Sequence, residues 1–526
     1  MNRMASLRRI LERQDPWDFA IIGGGATGVG IALDAASRGY AAALFEQSDF
    51  GKGTSSRSTK LVHGGVRYLQ QGNVPLVMEA LKERGLLLRN APHLVRDLEF
   101  VVPNYLWWEA PFYGVGLKVY DMLAGKYGFG ASQLLSREEV LKRIPTLEQN
   151  GLRGGVKYHD GQFDDGRLLV NLAQTANEQG ACLLNQARVV SLPKNAEGFL
   201  SGLIFRDEES GREHAIAARC VINATGPFCD AVRRMDDPAA GAMIAPSQGV
   251  HIVLPQEFLP GSTAIMVPHT RDGRVMFAIP WHGHVVVGTT DTPISEVSLE
   301  PRPLRHEVDF ILETASGYLA RNPSRADILS VFTGIRPLVK SGDAEGTAAL
   351  SRDHTIQISK AGLLTITGGK WTTYRKMAED CIDHASVLAG LPDRPCATKD
   401  LSIHGHHRHA EQFGPLADYG SDAVDIEQLM REHPSLAKPL DPALPICGAQ
   451  VAWAARHEMA RTVDDALARR TRALYLDARA AQRMAPAVAA LLAAELDRDA
   501  AWQKRQVKDF NKIAEGFIAG KETESP

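Results

Sequence analysis

Phe19-Ala20-Ile21-Ile22-Gly23-Gly24-Gly25-Ala26-Thr27-Gly28 is an apolar strand running straight into a GxGxxG turn, and the helical pattern behind it ends near Gly39. In such a turn Gly23 lets the backbone reverse tightly and Gly25 removes a Cβ where a pyrophosphate must approach. Gly28 lets the helix pack close on its strand. The start of the helix offers unpaired N–H groups, which favour an anion. A second apolar run, Ala41-Ala42-Ala43-Leu44-Phe45, delivers Glu46 about 18 residues past Gly28, near the spacing of a ribose-binding carboxylate. An acid there suits a free ribose diol better than a 2′-phosphate. Strand, glycine turn, helix, second strand and acid in this order predict an adenine-dinucleotide site. The alternative is an ordinary βαβ unit with a glycine-rich turn.

Outward from this unit, 526 residues exceed what one hydrophobic core usually supports, so two or more domains are expected. A net charge of −3 and a pI near 6.6 argue against a general nucleic-acid binder, so any cationic cluster must be local. Cys182, Cys220, Cys229, Cys381, Cys396 and Cys447 form no CxxC pair, so neither a zinc site nor a disulfide framework is expected, and the compartment reads as reducing. The first residues carry Arg3, Arg8 and Arg9 without an apolar signal core. Residues 485–496 are too short to span a bilayer, so any membrane contact is expected to be peripheral.

The stretch from Gly51 to Leu69 is too rich in glycine and hydroxyls for a core element; it reads as a loop of backbone donors and short polar side chains. Val77 to Leu88 reads as an amphipathic helix, with Met78 and Leu81 inward and Glu79, Lys82 and Glu83 outward. The aromatic stretch from Pro103 to Leu123, which includes Trp107, Trp108, Phe112, Tyr113 and Tyr120, reads as buried core. The other reading is a monotopic membrane contact. Arg219 to Ile222 is strand-like and enters the small-residue turn Asn223-Ala224-Thr225-Gly226-Pro227, a second place for close cofactor approach. Residues 243–290 alternate as an antiparallel sheet, taken as the substrate domain. Leu363 to Thr367 forms another strand, and the paired glycines 368 and 369 lead into a helix start suited to an anion or carbonyl. The cluster His404-Gly405-His406-His407-Arg408-His409 reads as a solvated linker without carboxylate partners, followed by an alanine-rich helical region.

Four motifs together resemble the FAD-dependent sn-glycerol-3-phosphate dehydrogenase family: residues 23–28, residues 54–69, Thr333-Gly334-Ile335-Arg336-Pro337-Leu338, and Gly368-Gly369-Lys370-Trp371-Thr372-Thr373-Tyr374-Arg375. Residues 223–227, 249–253 and 288–293 fit the same family, so the likeness covers nearly the whole chain. It is similar in phrasing to the mitochondrial branch, but without a transit peptide or a calcium-binding EF-hand extension, which suggests a bacterial or untargeted form. The resemblance implies a mixed α/β fold: a Rossmann-type FAD-binding domain of the D-amino-acid-oxidase-like class with an interleaved antiparallel-sheet substrate domain. The oxidoreductase region would run over 16–400, with FAD-binding segments near 16–100, 150–235 and 355–395 and substrate segments near 101–149 and 236–354. A linker at 401–410 and a C-terminal helical domain at 411–526 would follow.

The implied reaction oxidises glycerol 3-phosphate to dihydroxyacetone phosphate by hydride transfer from C2 to flavin N5, with electrons passed to a membrane quinone. The alternatives are a glycerol-3-phosphate oxidase using oxygen and an amine or amino-acid oxidase of the same fold. The resemblance carries FAD contacts to Ile22, Gly23, Gly25, Ala26, Thr27, Gly28, Glu46 and Gln47. It extends them to Thr54, Ser55, Ser56, Thr59, Lys60, Leu61, His63, Gly64 and Gly65, and to Ala224, Thr225, Gly226, Gly334, Gly369, Lys370, Trp371, Thr372 and Thr373. A phosphate dianion needs fixed cations, and the resemblance implies Arg336 and Lys370 in the substrate pocket, with Arg67, Tyr68 and Arg352. His63 is the first candidate for the proton acceptor and His251 the second, since a neutral imidazole suits that task near neutral pH. No metal is expected. The implied location is cytoplasmic or peripheral on the cytoplasmic face of the inner membrane, with a homodimer possible.

Overall fold

A computed structural model describes residues 1–65, 69, 72–268, 270–271, 273–340 and 353–524. Strand β1 (Trp17–Ile22) is buried along nearly its whole length and pairs in parallel with β2 (Ala42–Phe45) on one side and β3 (Glu213–Asn223) on the other. Strand β6 (Leu363–Gly368) continues the parallel sheet beyond β3. Continuous apolar runs suit strands covered on both faces. Phe19, Ile21, Leu44, Ile222 and Leu364 are buried in one cluster, each contributing about 1.5–3 kcal/mol. Helix α1 (Ala26–Ser37) packs on that sheet against helix α3 (Tyr374–Leu388). The two approach so closely that a Cβ on Gly30 would lie 2.9 Å from the Tyr374 ring.

A second, largely antiparallel sheet is centred on β4 (Ile244–Pro255), which pairs over its length with β5 (Ser330–Val339) and also with His284–Gly288. Each face of this sheet carries a separate apolar cluster, one of them shared with the C-terminal helices. Those helices include Ala478–Leu496 and Ala500–Ala514. All six cysteines are free.

Three local expectations change. The helix read over 77–88 runs Val74–Asn90, and Glu83 faces inward because Arg375 of α3 donates to its carboxylate at 2.6 Å in a buried pair. Met78 is exposed. The aromatic stretch is not uniformly buried. Helix α2 (Glu109–Ala124) buries Tyr113, Leu117 and Tyr120 but turns Phe112, Val115, Val119 and Met122 outward, with Leu106 and Trp107 before it. The histidine cluster is not simply solvated: His404 bridges Glu178 at 2.5 Å, far from it in sequence, and Asp422 at 2.9 Å.

Candidate active site

The glycine turn at the end of β1 is built for close approach. Gly23 has φ +109°, where a Cβ would sit 2.7 Å from the Ala224 carbonyl oxygen. A Cβ on Gly28 would lie 1.9 Å from the Gly23 oxygen, so the turn and α1 can touch only without side chains. Gly25 caps α1 with no side-chain bond of its own; Ser55 Oγ accepts from Ala26 N at 3.0 Å. Glu46 closes the end of β2, its two oxygens accepting from Gly24 N at 2.7 Å and Ser48 N at 2.9 Å. Desolvation pushes its carboxyl up to about 6 against those hydrogen bonds.

These groups border a cleft of about 270 Å³ that runs from Arg188 and Met235, past the glycine turn, to Lys370 and Met377. Of the residues expected at the cofactor, Ile22, Gly23, Gly25, Ala26, Thr27, Glu46, Gln47, Thr54, Ser55, Ala224, Thr225, Gly226, Gly369, Lys370 and Trp371 line it together. Gly28, Ser56, Thr59, Leu61, His63, Gly64, Gly65, Gly334, Thr372 and Thr373 stand outside the lining. Lys60 has its ammonium buried between Asp165 and the Ser56 carbonyl, each at 2.8 Å, and ringed by Trp281, Phe332 and Tyr475. Its left-handed backbone, φ 65°, turns the residue into that core. A bare helix start, a Cβ-free turn and a carboxylate at the second strand fit an adenine dinucleotide.

Beyond Lys370 the cleft meets the second sheet. Trp371 Nε1 donates to the Ser55 carbonyl at 2.8 Å, tying the two glycine-rich segments together. The His63 N–H donates to Thr372 Oγ1 at 3.2 Å, so this half-buried histidine stands beside the Lys370 segment. Arg336 lies on β5 opposite Ser247, with Asp291 at 3.2 Å and Thr289 Oγ1 at 3.1 Å. Arg274 holds the other oxygen of Asp291 at 3.2 Å. Two guanidiniums around one carboxylate leave a net positive corner. His251 is buried, stacked on Phe332 with ring centroids 4.8 Å apart, and its Nε2 pairs with Thr59 Oγ1 at 2.9 Å. Burial first, then Arg336 and Lys60, keep it neutral well below the usual imidazole range. Arg67, Tyr68 and Arg352 fall outside the described residues.

Sequence reasoning missed Arg274, Asp291, Arg188 and Lys52. Asp291 sat within a quoted motif without a role, while Arg274 and Arg188 lie in strand contexts that carry no local signal.

Residues 18–375 match the family described as FAD dependent oxidoreductase, and residues 364–503 match the C-terminal domain of alpha-glycerophosphate oxidase. A mitochondrial glycerol-3-phosphate dehydrogenase of Arabidopsis thaliana is 42% identical over 550 residues, spanning 96% of this chain and 87% of its own length. The mitochondrial enzyme of Homo sapiens is 40% identical over 537 residues, spanning 96% and 74%. The X-ray structure of the glycerol-3-phosphate dehydrogenase from Bacillus halodurans complexed with FAD superposes with a TM-score of 0.80 at 29% identity, covering 98% of this chain and 97% of that one. The fold is therefore that of an FAD-dependent oxidoreductase, with FAD as cofactor. Within that class the chain belongs to the FAD-dependent glycerol-3-phosphate dehydrogenase family.

Proposed function

We propose that the protein oxidises sn-glycerol 3-phosphate to dihydroxyacetone phosphate and passes the electrons to a quinone at a membrane surface. One observation carries the reading: Lys370 lines the cofactor cleft, and the Arg336–Asp291–Arg274 corner stands at the strand β5 whose Pro337 also reaches that cleft, so the two sets of cations are neighbours. A phosphate dianion is met there by the planar fork of Arg336 and the point charge of Lys370, with Arg274 supporting through Asp291. Bound FAD, held by the glycine turn and the Lys370 segment, would supply the oxidising power to remove the C2 hydrogen as hydride. His63 takes the proton of the C2 hydroxyl. It is half-buried next to the Lys370 segment, whereas the His251 ring is buried and engaged with Thr59. His251 then serves to fix Thr59.

The membrane partner is supported by α2. Positions 108, 112, 115, 119 and 122 repeat at helical spacing and form one apolar face, with Trp107 77%, Val115 67% and Met122 79% exposed. Such a face, with Lys118 on the same helix, suits a monotopic contact. No helix among the described residues is long and apolar enough to cross a membrane.

The test is anaerobic addition of sn-glycerol 3-phosphate to purified holoprotein, with bleaching of oxidised flavin absorbance expected. Glycine and D-amino acids should leave the flavin oxidised. A quinone analogue should reoxidise it faster than air; rapid reoxidation by air with peroxide release would favour an oxidase. His63→Asn should slow bleaching about 10²–10⁴-fold, the range of lost general-base catalysis, and more than His251→Asn does.

A further inference from the structure

The loop 49–57 supplies Gly51, Lys52, Gly53, Thr54 and Ser55 to the wall of the FAD cleft, yet Asp49, Lys52 and Ser56 make side-chain bonds to residues more than 400 positions away. At its start the fully buried Asp49 receives Arg469 Nε at 2.5 Å and both terminal nitrogens of Arg470, at 2.7 and 2.8 Å. These adjacent arginines reach one carboxylate from a π-helical turn, Asp465–Arg470, a widened turn of the kind found where function overrides regular geometry. In the middle, Lys52 Nζ is clamped by Asp464 and Glu300, each at 2.7 Å. At the end, Ser56 Oγ meets Tyr475 OH at 2.9 Å and also donates to the Gly51 carbonyl at 2.8 Å.

The charges fit a fixed clasp. Burial alone would raise the Asp49 carboxyl, but Arg470 and Arg469 outweigh it and hold the group at about 2. Breaking a buried pair of this sort leaves an uncompensated charge, a far larger penalty than losing a surface bridge. The loop in turn reaches the glycine turn: Gly51 N donates to the Gly24 carbonyl at 3.0 Å, and Ser55 caps Ala26 N. A displacement of loop 49–57 therefore moves the pyrophosphate end of the cleft.

We infer that the segment from Asp464 to Tyr475, ahead of the C-terminal helices, is a cofactor-retention element, with Arg469, Arg470, Asp464 and Tyr475 acting as positioning residues that hold loop 49–57 in its FAD-binding shape. They touch the loop and not the cleft, so they act on the cofactor's residence and leave its chemistry to others. The inference rests on the cleft being the FAD site.

Two variants test it. Arg470→Lys keeps the charge but loses the two-pronged grip, and Tyr475→Phe removes only the hydroxyl that meets Ser56. Purified holoproteins are diluted and the rise of free-flavin fluorescence gives the release rate; thermal midpoints are recorded for holo and apo forms. Release should quicken about tenfold in Arg470→Lys and about threefold in Tyr475→Phe, in keeping with a charged and a neutral hydrogen bond. The gap between holo and apo midpoints should narrow in both. Unchanged release from folded variants, or equal falls of the two midpoints, would overturn the inference by reducing these contacts to general stability. If Arg470→Lys does not fold, Tyr475→Phe decides alone. Wild-type protein that purifies without flavin would overturn the assignment of the cleft itself, a different failure.

Discussion

The two ends of the cleft are made of different material. At the nucleotide end the contacts come from backbone: three glycines, the bare start of α1 and one carboxylate, all within residues 23–46. At the end proposed for the substrate they would come from side chains, Lys370 in the lining and Arg336, Arg274 and His63 beside it, delivered by separate strands and loops over some three hundred positions. Backbone binding is intolerant of any added atom but indifferent to charge; side-chain binding tolerates small changes of shape and fails when one charge is lost. The first kind is local enough to be read as a motif, whereas the second exists only once the sheets have met.

The difference can be broken most sharply at Arg336. Arg336→Ala should cost about 10²–10³ in kcat/KM, as loss of a preorganised charge contact does, while FAD remains bound; Arg336→Lys should recover only part, lacking the fork. Steady-state kinetics with flavin content measured in parallel checks both halves. Gly28→Ala attacks the other end. Its Cβ would collide with the Gly23 carbonyl, and the resulting strain of about 3 kcal/mol corresponds to FAD binding about a hundredfold weaker. The purified protein should be pale even though every cation is in place. Glu46→Gln tests the one carboxylate of the backbone end: FAD affinity measured by fluorescence titration should fall by about threefold to tenfold, the worth of one charge-assisted hydrogen bond. Outside both ends, replacing Trp107 and Met122 with serine should reduce cosedimentation with lipid vesicles and leave flavin bleaching by substrate intact.

The smallest effect concerns His404. Burial lowers its pKa, but bonds to Asp422 and Glu178 prevail and raise it to about 9. A folded value above the unfolded ~6.5 means the folded state holds the extra proton. Its stabilisation is complete below about pH 6.5 and is lost as pH rises through about 9. Thermal midpoints of wild type should therefore fall over that alkaline window more than those of His404→Gln.

The strand, turn and helix around residues 19–37 were legible because each glycine answers a local steric demand that sequence spacing records. Arg336 and Lys370 were legible only through the resemblance, since a lone cation, on a strand as Arg336 or at a helix start as Lys370, has no periodicity to distinguish it. Arg274 and Asp291 escaped for the same reason: their pairing is made by segments at the strand ends that only the assembled sheet brings together. Lys60 was expected at the cofactor, but its ammonium finds Asp165 in the core, a partner more than 100 residues away. The aromatic stretch misled because amphipathic spacing shows that a helix has two faces, not which of them stays uncovered. His404 was read as solvated because its carboxylates, Glu178 and Asp422, are distant or unremarkable in sequence.

The parallel sheet has a consequence for how the protein is made. Its central strand, β1, leaves the ribosome early, but β3 and β6 follow much later, and Lys370, Trp371 and Met377 complete the walls. Until then the strand–turn–helix unit lacks its opposite wall, and the cleft is incomplete. Capture of the cofactor is therefore a late event in synthesis, and free FAD, by mass action, rewards only the finished fold.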